Sequence, residues 1–239
     1  MKRAALCATA VSLSLAALTA CSGGDADAKP EHSPGSSPAR AKQVGPAERL
    51  AKIMVTQKDV SGRTVKEMSD DFLFAKSPDE VTVDKAACAP LVHAMNQLPL
   101  GEPQADLTRV VSTEKYGDED VYITLTAYAA GKAEPTMAAL SKGVESCGPG
   151  FTAKANGNTS TYDSIAAEDP AAAAGDETVA FKSTMTFRGV THTLHTEAVR
   201  RDDVIAVCFS VNGLAIVKST PSDAKLPTAV VKAQNAKLG

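Results

Sequence analysis

The chain has 239 residues, a formal net charge of −3 at pH 7, no tryptophan and only 4% aromatic residues. This composition argues against an aromatic platform for carbohydrates or nucleic acids, and the lack of a basic run argues against binding to a polyphosphate. The core must be built from aliphatic side chains and methionine, and no catalytic or cofactor motif is found, so no nucleic-acid partner and no cofactor are expected.

The first twenty residues have the pattern of an export signal. Met1-Lys2-Arg3 supplies positive charge, and the apolar stretch from Ala4 to Leu18 is too short to span a bilayer. The next residues, Leu18-Thr19-Ala20-Cys21, resemble a bacterial lipobox, in which cleavage before the cysteine is followed by acylation of its thiol. We predict a signal peptide over residues 1–20 and a lipid on Cys21, with an ordinary secretory signal as the alternative. The mature protein is then expected on the outer face of the cytoplasmic membrane.

Residues 21–45 are predicted to be a lipidated, flexible tether. They are rich in Gly, Ser, Pro, Ala and charged residues and contain almost nothing that could be buried. A flexible coil of this length has an end-to-end distance of roughly 25–30 Å, enough to lift a domain clear of the lipid headgroups. Residues 46–239 suffice for one full hydrophobic core, so they are predicted to form a single globular extracellular domain.

Two short helices are predicted at the start of this domain. The first spans residues 46–54 and leads into the turn Asp59-Val60-Ser61-Gly62. The second begins near Ala89, because Pro90 is tolerated only in the first turn of a helix, and it runs to about Gln97.

Two strands, over residues 106–114 and 120–129, are predicted to follow. The acidic turn between them, Asp118-Glu119-Asp120, lacks the alternating oxygen ligands and the long loop of a calcium site, so no metal is expected there. The next helix is the clearest in the sequence: it spans residues 134–147 and is stopped by Gly148-Pro149-Gly150.

Three cysteines remain after the signal peptide and Cys21, in a compartment that permits disulfides. They are Cys88, Cys147 and Cys208. One pair and one spare is the simplest count, and the sequence leaves all three pairings open. Cys147 ends an apolar helical stripe and Cys88 precedes another, so both can face the core. A Cys88 to Cys147 bridge, which we predict, closes a loop of about 60 residues and contributes about 4 kcal/mol.

Residues 178–211 have the pattern of a three-stranded β-meander with turns at Arg188-Gly189 and Arg201-Asp202. Pairing Phe187 with Val190 across the first turn, and Arg200 with Asp203 across the second, places apolar residues on one face. That face is formed by Val179, Phe181, Met185, Phe187, Val190, Leu194, Ile205, Val207, Phe209 and Val211. The other face is expected to be wetter and carries Lys182, Thr184, Thr193, His195 and Glu197. A terminal helix over residues 226–238 ends the chain.

The histidines and the unpaired cysteine give only weak indications of a metal site or of a catalytic site. His192 and His195 are three residues apart on a strand, so their imidazoles point to opposite faces and are not expected to hold a metal. The second hairpin register places His195 opposite Cys208, the one pair that a Cys/His hydrolase could use. A structural cysteine beside a surface histidine is the more common arrangement. His93 is interpreted as a packing residue on a helix flank, and His32 as an inert residue of the tether.

Four features together resemble the extracellular sensor domain of the mycobacterial PknH kinase type, a family also common as free actinobacterial lipoproteins. They are the early helix before Asp59-Val60-Ser61-Gly62, the approach from Asp84 to Cys88-Ala89-Pro90, the helix ending in Cys147, and the late strand pair before a terminal helix. The resemblance implies an α+β fold, with helices packed on a largely antiparallel sheet, and the binding of an unidentified extracellular ligand.

Two non-enzymatic functions therefore compete. The first is a membrane-anchored sensor or interaction module, whose partner is a small ligand or an envelope protein. The alternative is a carrier of lipids or other hydrophobic ligands, since an aliphatic core with few aromatic residues suits an acyl-chain cavity as well as a filled core. We expect no enzymatic activity.

Overall fold

The computed structural model describes residues 44–68, 74–113 and 118–239 of the chain. The predicted signal peptide over residues 1–20, the lipidation site Cys21, His32 and nearly all of the tether lie outside these residues, so they stay predictions. Of the helices within the described residues, none is long and apolar enough to cross a membrane. The described chain forms α-helices packed on a ten-stranded sheet, which confirms the α+β prediction.

Five α-helices and ten strands lie within the described residues. The helices are α1 (Pro46–Ile53), α2 (Ala89–Met95), α3 (Ala133–Ser146), α4 (Gly213–Val217) and α5 (Thr228–Leu238). The strands are β1 (Arg63–Glu67), β2 (Thr82–Val83), β3 (Ala105–Thr113), β4 (Asp120–Ala127), β5 (Phe151–Ala155), β6 (Asn158–Ala167), β7 (Glu177–Phe187), β8 (Val190–Arg201), β9 (Val204–Val211) and β10 (Ser222–Ala224). Short 3₁₀ turns precede β2 and α2.

The sheet runs in the order β1-β3-β4-β9-β8-β7-β6-β5-β2, and all neighbours in this order are antiparallel. Strand β10 lies outside the order and pairs in parallel with the start of β8. Successive residues of β9 belong to two different apolar clusters, as expected for a strand that is buried on both sides. One cluster joins the sheet to α2 and α3, which form the disulfide face, and the other joins it to α1 and α5, which form the opposite face.

The predicted Cys88 to Cys147 pair is a disulfide in the structure, and Cys208 is a free, buried cysteine. The bridge joins the start of α2 to the end of α3. Helix α3 ends at Ser146, one residue before the predicted end. Beyond it, Gly150 lies in the left-handed region (φ +82°), and a Cβ there would clash with the backbone of β6, 2.2 Å from the carbonyl oxygen of Tyr162.

The meander is present, but only its first register was predicted correctly. Phe187 pairs with Val190 and Val179 with Ala198, as expected. The second turn is centred on Asp202 and Asp203 instead of Arg201 and Asp202, so Arg201 pairs with Val204. Asp202 adopts the left-handed conformation (φ 51°) that such a two-residue turn requires. This changes the pairing by two residues, an even number that preserves which side chains face the disulfide face.

The expectation of a wetter second face is wrong for its central part. His195 is only 7% exposed and Glu197 only 1% exposed. The reason is that α1, α5 and the segment of residues 168–175, which we call the strap, contact this face. The chain thus buries polar residues under the strap that the strand pattern alone assigned to solvent.

Candidate functional site

A cavity of about 420 Å³ lies where the strap meets the sheet, and we call it the His195 pocket. Its wall on the sheet side is formed by Lys182 of β7 and His195 of β8, whose backbones are paired directly across the hairpin. The strap contributes Glu168 and Asp169, and β10 contributes Asp223. Charged side chains of both signs therefore converge on one cavity from three separate parts of the chain.

The side chain of His195, on β8, contacts both the strap and β10. Its Nδ1 atom lies 2.8 Å from a carboxylate oxygen of Glu168, and its Nε2 atom lies 2.6 Å from Oδ1 of Asp223. The imidazole therefore lies between two carboxylates from different segments. We call this arrangement the His195 clamp, and it couples the strap to β10.

The clamp is not arranged as a metal site. Glu168 and Asp223 contact different nitrogens, on different edges of the ring, so the three side chains do not converge on one point. Among the residues that the structure describes, no group of three or more His, Cys, Asp or Glu side chains could hold a metal ion. Since both ring nitrogens already have partners, His195 also has no free nitrogen to act as a base.

Glu197 holds the strap at a second place. Its Oε2 atom accepts hydrogen bonds from the backbone N–H groups of Ala171 (2.6 Å) and Ala172 (3.4 Å). The side-chain amide of Asn235 in α5 donates to the carbonyl oxygen of Ala172 at 2.7 Å. Burial raises the pKa of the Glu197 carboxyl, against the lowering effect of these hydrogen bonds. The strap is thus attached to both the sheet and the terminal helix by buried polar groups.

Two charged residues of the pocket are available to a ligand. Asp169 and Lys182 are exposed, they line the cavity, and neither has an ion-pair or hydrogen-bond partner for its side chain within the described residues. They carry opposite charges and belong to the strap and to the sheet, respectively. A small molecule with both a cationic and an anionic group could contact both of them at once.

The predicted Cys/His pair does not exist. With the second turn displaced, His195 pairs with Ser210 and Cys208 pairs with Glu197. Cys208 is 2% exposed, and burial together with the Glu197 carboxylate raises the pKa of its thiol. A buried thiol that stays protonated is a poor nucleophile, and His195 lies opposite Ser210 instead, so the hydrolase alternative loses the residue pair on which it rested.

The structure also places the remaining candidates from the sequence, which are His192, the acidic turn and His93. His192 and His195 occupy opposite faces of β8, as predicted, and Nδ1 of His192 lies 2.9 Å from the Ser222 hydroxyl. In the acidic turn, Asp120 accepts a hydrogen bond from Ser112, and Glu119 pairs with Arg63. His93 is half-buried on α2, where burial lowers its pKa.

The sequence patterns do not indicate Glu168 and Asp223, the two carboxylates of the clamp. They lie 27 and 28 residues from His195 along the chain, in segments without a periodic pattern. The pairing of Lys182 with His195 follows from the first hairpin register, which was correct, and it is the one signal of this site that the sequence contains.

Comparisons with known proteins identify the fold. No family model matches the sequence, and no curated protein matches it. The extracellular domain of PknH from Mycobacterium tuberculosis is similar in structure, with a TM-score of 0.51 and 13% sequence identity over 80% of this chain and 93% of that domain. An uncharacterized protein of Mycobacterium smegmatis, the Rv0999 ortholog, aligns with a TM-score of 0.36 and 11% identity over 82% of this chain and 96% of that protein. The chain therefore has the fold of the PknH extracellular domain, as its sequence features suggested.

Proposed function

We propose that the protein is a lipid-anchored, extracytoplasmic, sensor-like module that binds a small ligand of mixed charge in the His195 pocket. The observation that carries the ligand site is the clamp itself, in which one buried imidazole joins two separate segments at the wall of a cavity. The fold, shared with a domain that lies outside its cell, supports the extracytoplasmic location. The export signal and Cys21 support the anchor.

Ligand binding in this pocket could change how the strap is held against the sheet. Asp169 belongs to the strap and Lys182 to the sheet, so a molecule that contacts both joins two separate elements. A ligand that binds more tightly when the strap is attached to the sheet shifts the equilibrium toward the attached form. The size of the shift is limited by the difference between its affinities for the attached and detached forms. The bound state is a strap held against β8, which an envelope partner could recognise.

The ligand site is tested with glycylglycine, a small probe that carries both charges. The chain from Ser22 to Gly239, which contains every described residue, is labelled with ¹⁵N and titrated by NMR. We expect saturable shifts of the backbone amides of residues 168–175 and of β10, and at least tenfold weaker binding in Lys182→Glu. The matched control is Lys142→Glu, an exposed lysine of α3 away from the pocket, which should leave the affinity unchanged. Equal affinities of the two variants, or shifts elsewhere only, would refute this ligand site.

The anchor is tested separately in a host that processes bacterial lipoproteins. The full chain should incorporate labelled palmitate and sediment with membranes, and Cys21→Ser should do neither. If the Cys21→Ser variant is still labelled, the anchor is at another residue; if the unchanged chain is never labelled, the lipobox interpretation is wrong.

The carrier of lipids or other hydrophobic ligands remains the second candidate, because an apolar cleft lies between α2 and α3. Native mass spectrometry of the chain from Ser22 to Gly239, purified from an oxidising compartment, separates the two functions. A co-purifying lipid would favour the carrier, whereas a polar species of a few hundred daltons that is lost in Lys182→Glu would favour the module.

A further inference from the structure

A second cavity, of about 550 Å³, lies on the disulfide face, and we call it the helix cleft. One wall is a side of α2 that presents Pro90 and His93, and the other is a side of α3 that presents Pro135 and Ala139. Leu100 and Tyr128, both buried, form its floor. The cleft shares no residue with the His195 pocket, so what it binds is independent of the charged ligand proposed there, and it is the same apolar cleft on which the carrier alternative rests.

The walls of the helix cleft are fixed before any ligand arrives. The disulfide joins Cys88, which directly precedes α2, to Cys147, which directly follows α3. The Tyr128 hydroxyl donates a 2.7 Å hydrogen bond to the carbonyl oxygen of Leu100, which holds the floor in place. Gly101 lies in the left-handed region (φ +59°), and a Cβ there would lie 3.2 Å from the Thr136 hydroxyl. A cavity with such fixed walls binds without the cost of ordering its own side chains.

The lining is largely apolar, and one of its neutral polar side chains has no hydrogen-bond partner within the described residues. His93 has no hydrogen-bond partner for its imidazole among the residues that the structure describes. Burial lowers its pKa from the ordinary value of 6.5, so the ring is neutral at pH 7 and offers one donor and one acceptor. The hydroxyl of Thr136 is already used, since it donates to the carbonyl oxygen of Lys132 at 2.8 Å.

We propose that the helix cleft binds a compact, largely apolar molecule through one neutral hydrogen-bonding group that meets His93. The volume is that of a site for a drug-sized molecule. The exposed residues Glu102 and Lys132 bring one charge of each sign to the lining, so the cleft has no net charge to attract an ion. A charged group beside the half-buried, neutral His93 would lose hydration without an opposite charge at that ring. A ring with a hydroxyl group has the required chemistry.

The test uses 4-methylphenol as the probe, with toluene and benzenesulfonate as its uncharged and charged comparisons. The ¹⁵N-labelled chain from Ser22 to Gly239 is titrated with each by NMR. We expect 4-methylphenol to shift the amides of α2 and α3 saturably, toluene to bind about threefold to tenfold more weakly, and benzenesulfonate not to bind.

Two pairs of variants separate this site from unspecific apolar binding. Ala139→Phe fills the cleft and should abolish binding, whereas Ala138→Phe, on an exposed position of the same helix that does not line the cleft, should leave it unchanged. His93→Leu should reduce the affinity for 4-methylphenol to that for toluene, and His93→Gln should retain most of it. The proposal is overturned if no amide of α2 or α3 shifts saturably, if both alanine variants behave alike, or if benzenesulfonate binds as tightly as 4-methylphenol.

Discussion

The helices on the disulfide face are joined by a covalent bond and apolar packing, whereas the strap on the opposite face is fastened by charged and polar groups. On the first face, Cys88 and Cys147 fix the two helices at a set distance. On the second, His195 and Glu197 hold the strap through hydrogen bonds of ionisable side chains. This difference shows that one sheet can carry a cleft with fixed walls on one face and, on the other face, a site whose strap is held by ionisable side chains.

The largest effect is expected from removing the covalent bond. The bridge closes a loop between residues 59 positions apart, so the double variant Cys88→Ala/Cys147→Ala should lose about 4 kcal/mol of unfolding free energy by the chain-entropy relation. Urea unfolding followed by circular dichroism measures it, and the unchanged chain under reducing conditions is the control. A double variant as stable as the oxidised protein would show that packing alone holds this face.

Breaking the His195 clamp should have the next largest effect. His195→Phe keeps the ring volume but leaves Glu168 and Asp223 without their donor, and we expect a loss of about 2 kcal/mol. The loss is limited because both carboxylates are partly exposed and regain water. Urea unfolding at pH 6 measures it. If His195→Phe is neutral, the clamp does not contribute to holding the strap.

Glu197→Gln should have a smaller and pH-dependent effect. Because burial raises the pKa of Glu197, the folded state binds this proton more tightly than the unfolded state does. The carboxyl therefore supports the fold fully below its unfolded pKa, and this support is lost as pH rises through the raised folded pKa. Glutamine does not titrate, so its stability relative to the unchanged protein should rise by about 1 kcal/mol across that window. Unfolding curves from pH 4 to pH 8 measure the trend, and a flat difference would contradict it.

The smallest effect is expected from an exposed ion pair on the same face. Lys52 and Glu48 lie one turn apart on α1 at 3.0 Å, with both side chains mostly in solvent. Lys52→Ala should cost no more than about 0.5 kcal/mol in the same urea assay. If Lys52→Ala lost as much unfolding free energy as His195→Phe, burial would not strengthen the interactions of the clamp.

The fold was predictable where a local pattern fixes it. The helical stripe ending at Cys147 and the first hairpin around Arg188-Gly189 followed from spacing and turn residues. The α+β class followed from the resemblance to the PknH-type sensor domain. Strands β5 and β6 were not predicted, because β6 is largely polar and is held by pairing with β7, which lies beyond a loop. The second hairpin was displaced because Asp202 takes a left-handed conformation that alternation does not reveal.

The candidate site was predictable only in part. The face that carries Lys182, His195 and Glu197 follows from alternation along the strands, but its burial does not. That burial is produced by the strap and α5, and no local pattern places either of them on this face. Contacts between segments of irregular structure have no periodic signal in the sequence, so only the structure shows that Glu168 and Asp223 contact His195.

The most direct test of the two-faced organisation is hydrogen exchange of the chain from Ser22 to Gly239, read by mass spectrometry under native conditions. Three samples are compared: the oxidised protein, the reduced protein and the oxidised His195→Phe variant. Reduction should speed exchange in α2 and α3 and leave residues 168–175 unchanged, whereas His195→Phe should speed exchange in residues 168–175 and β10 and leave the two helices unchanged. If either change loosens both faces to the same degree, the two faces are not held independently and the account is contradicted.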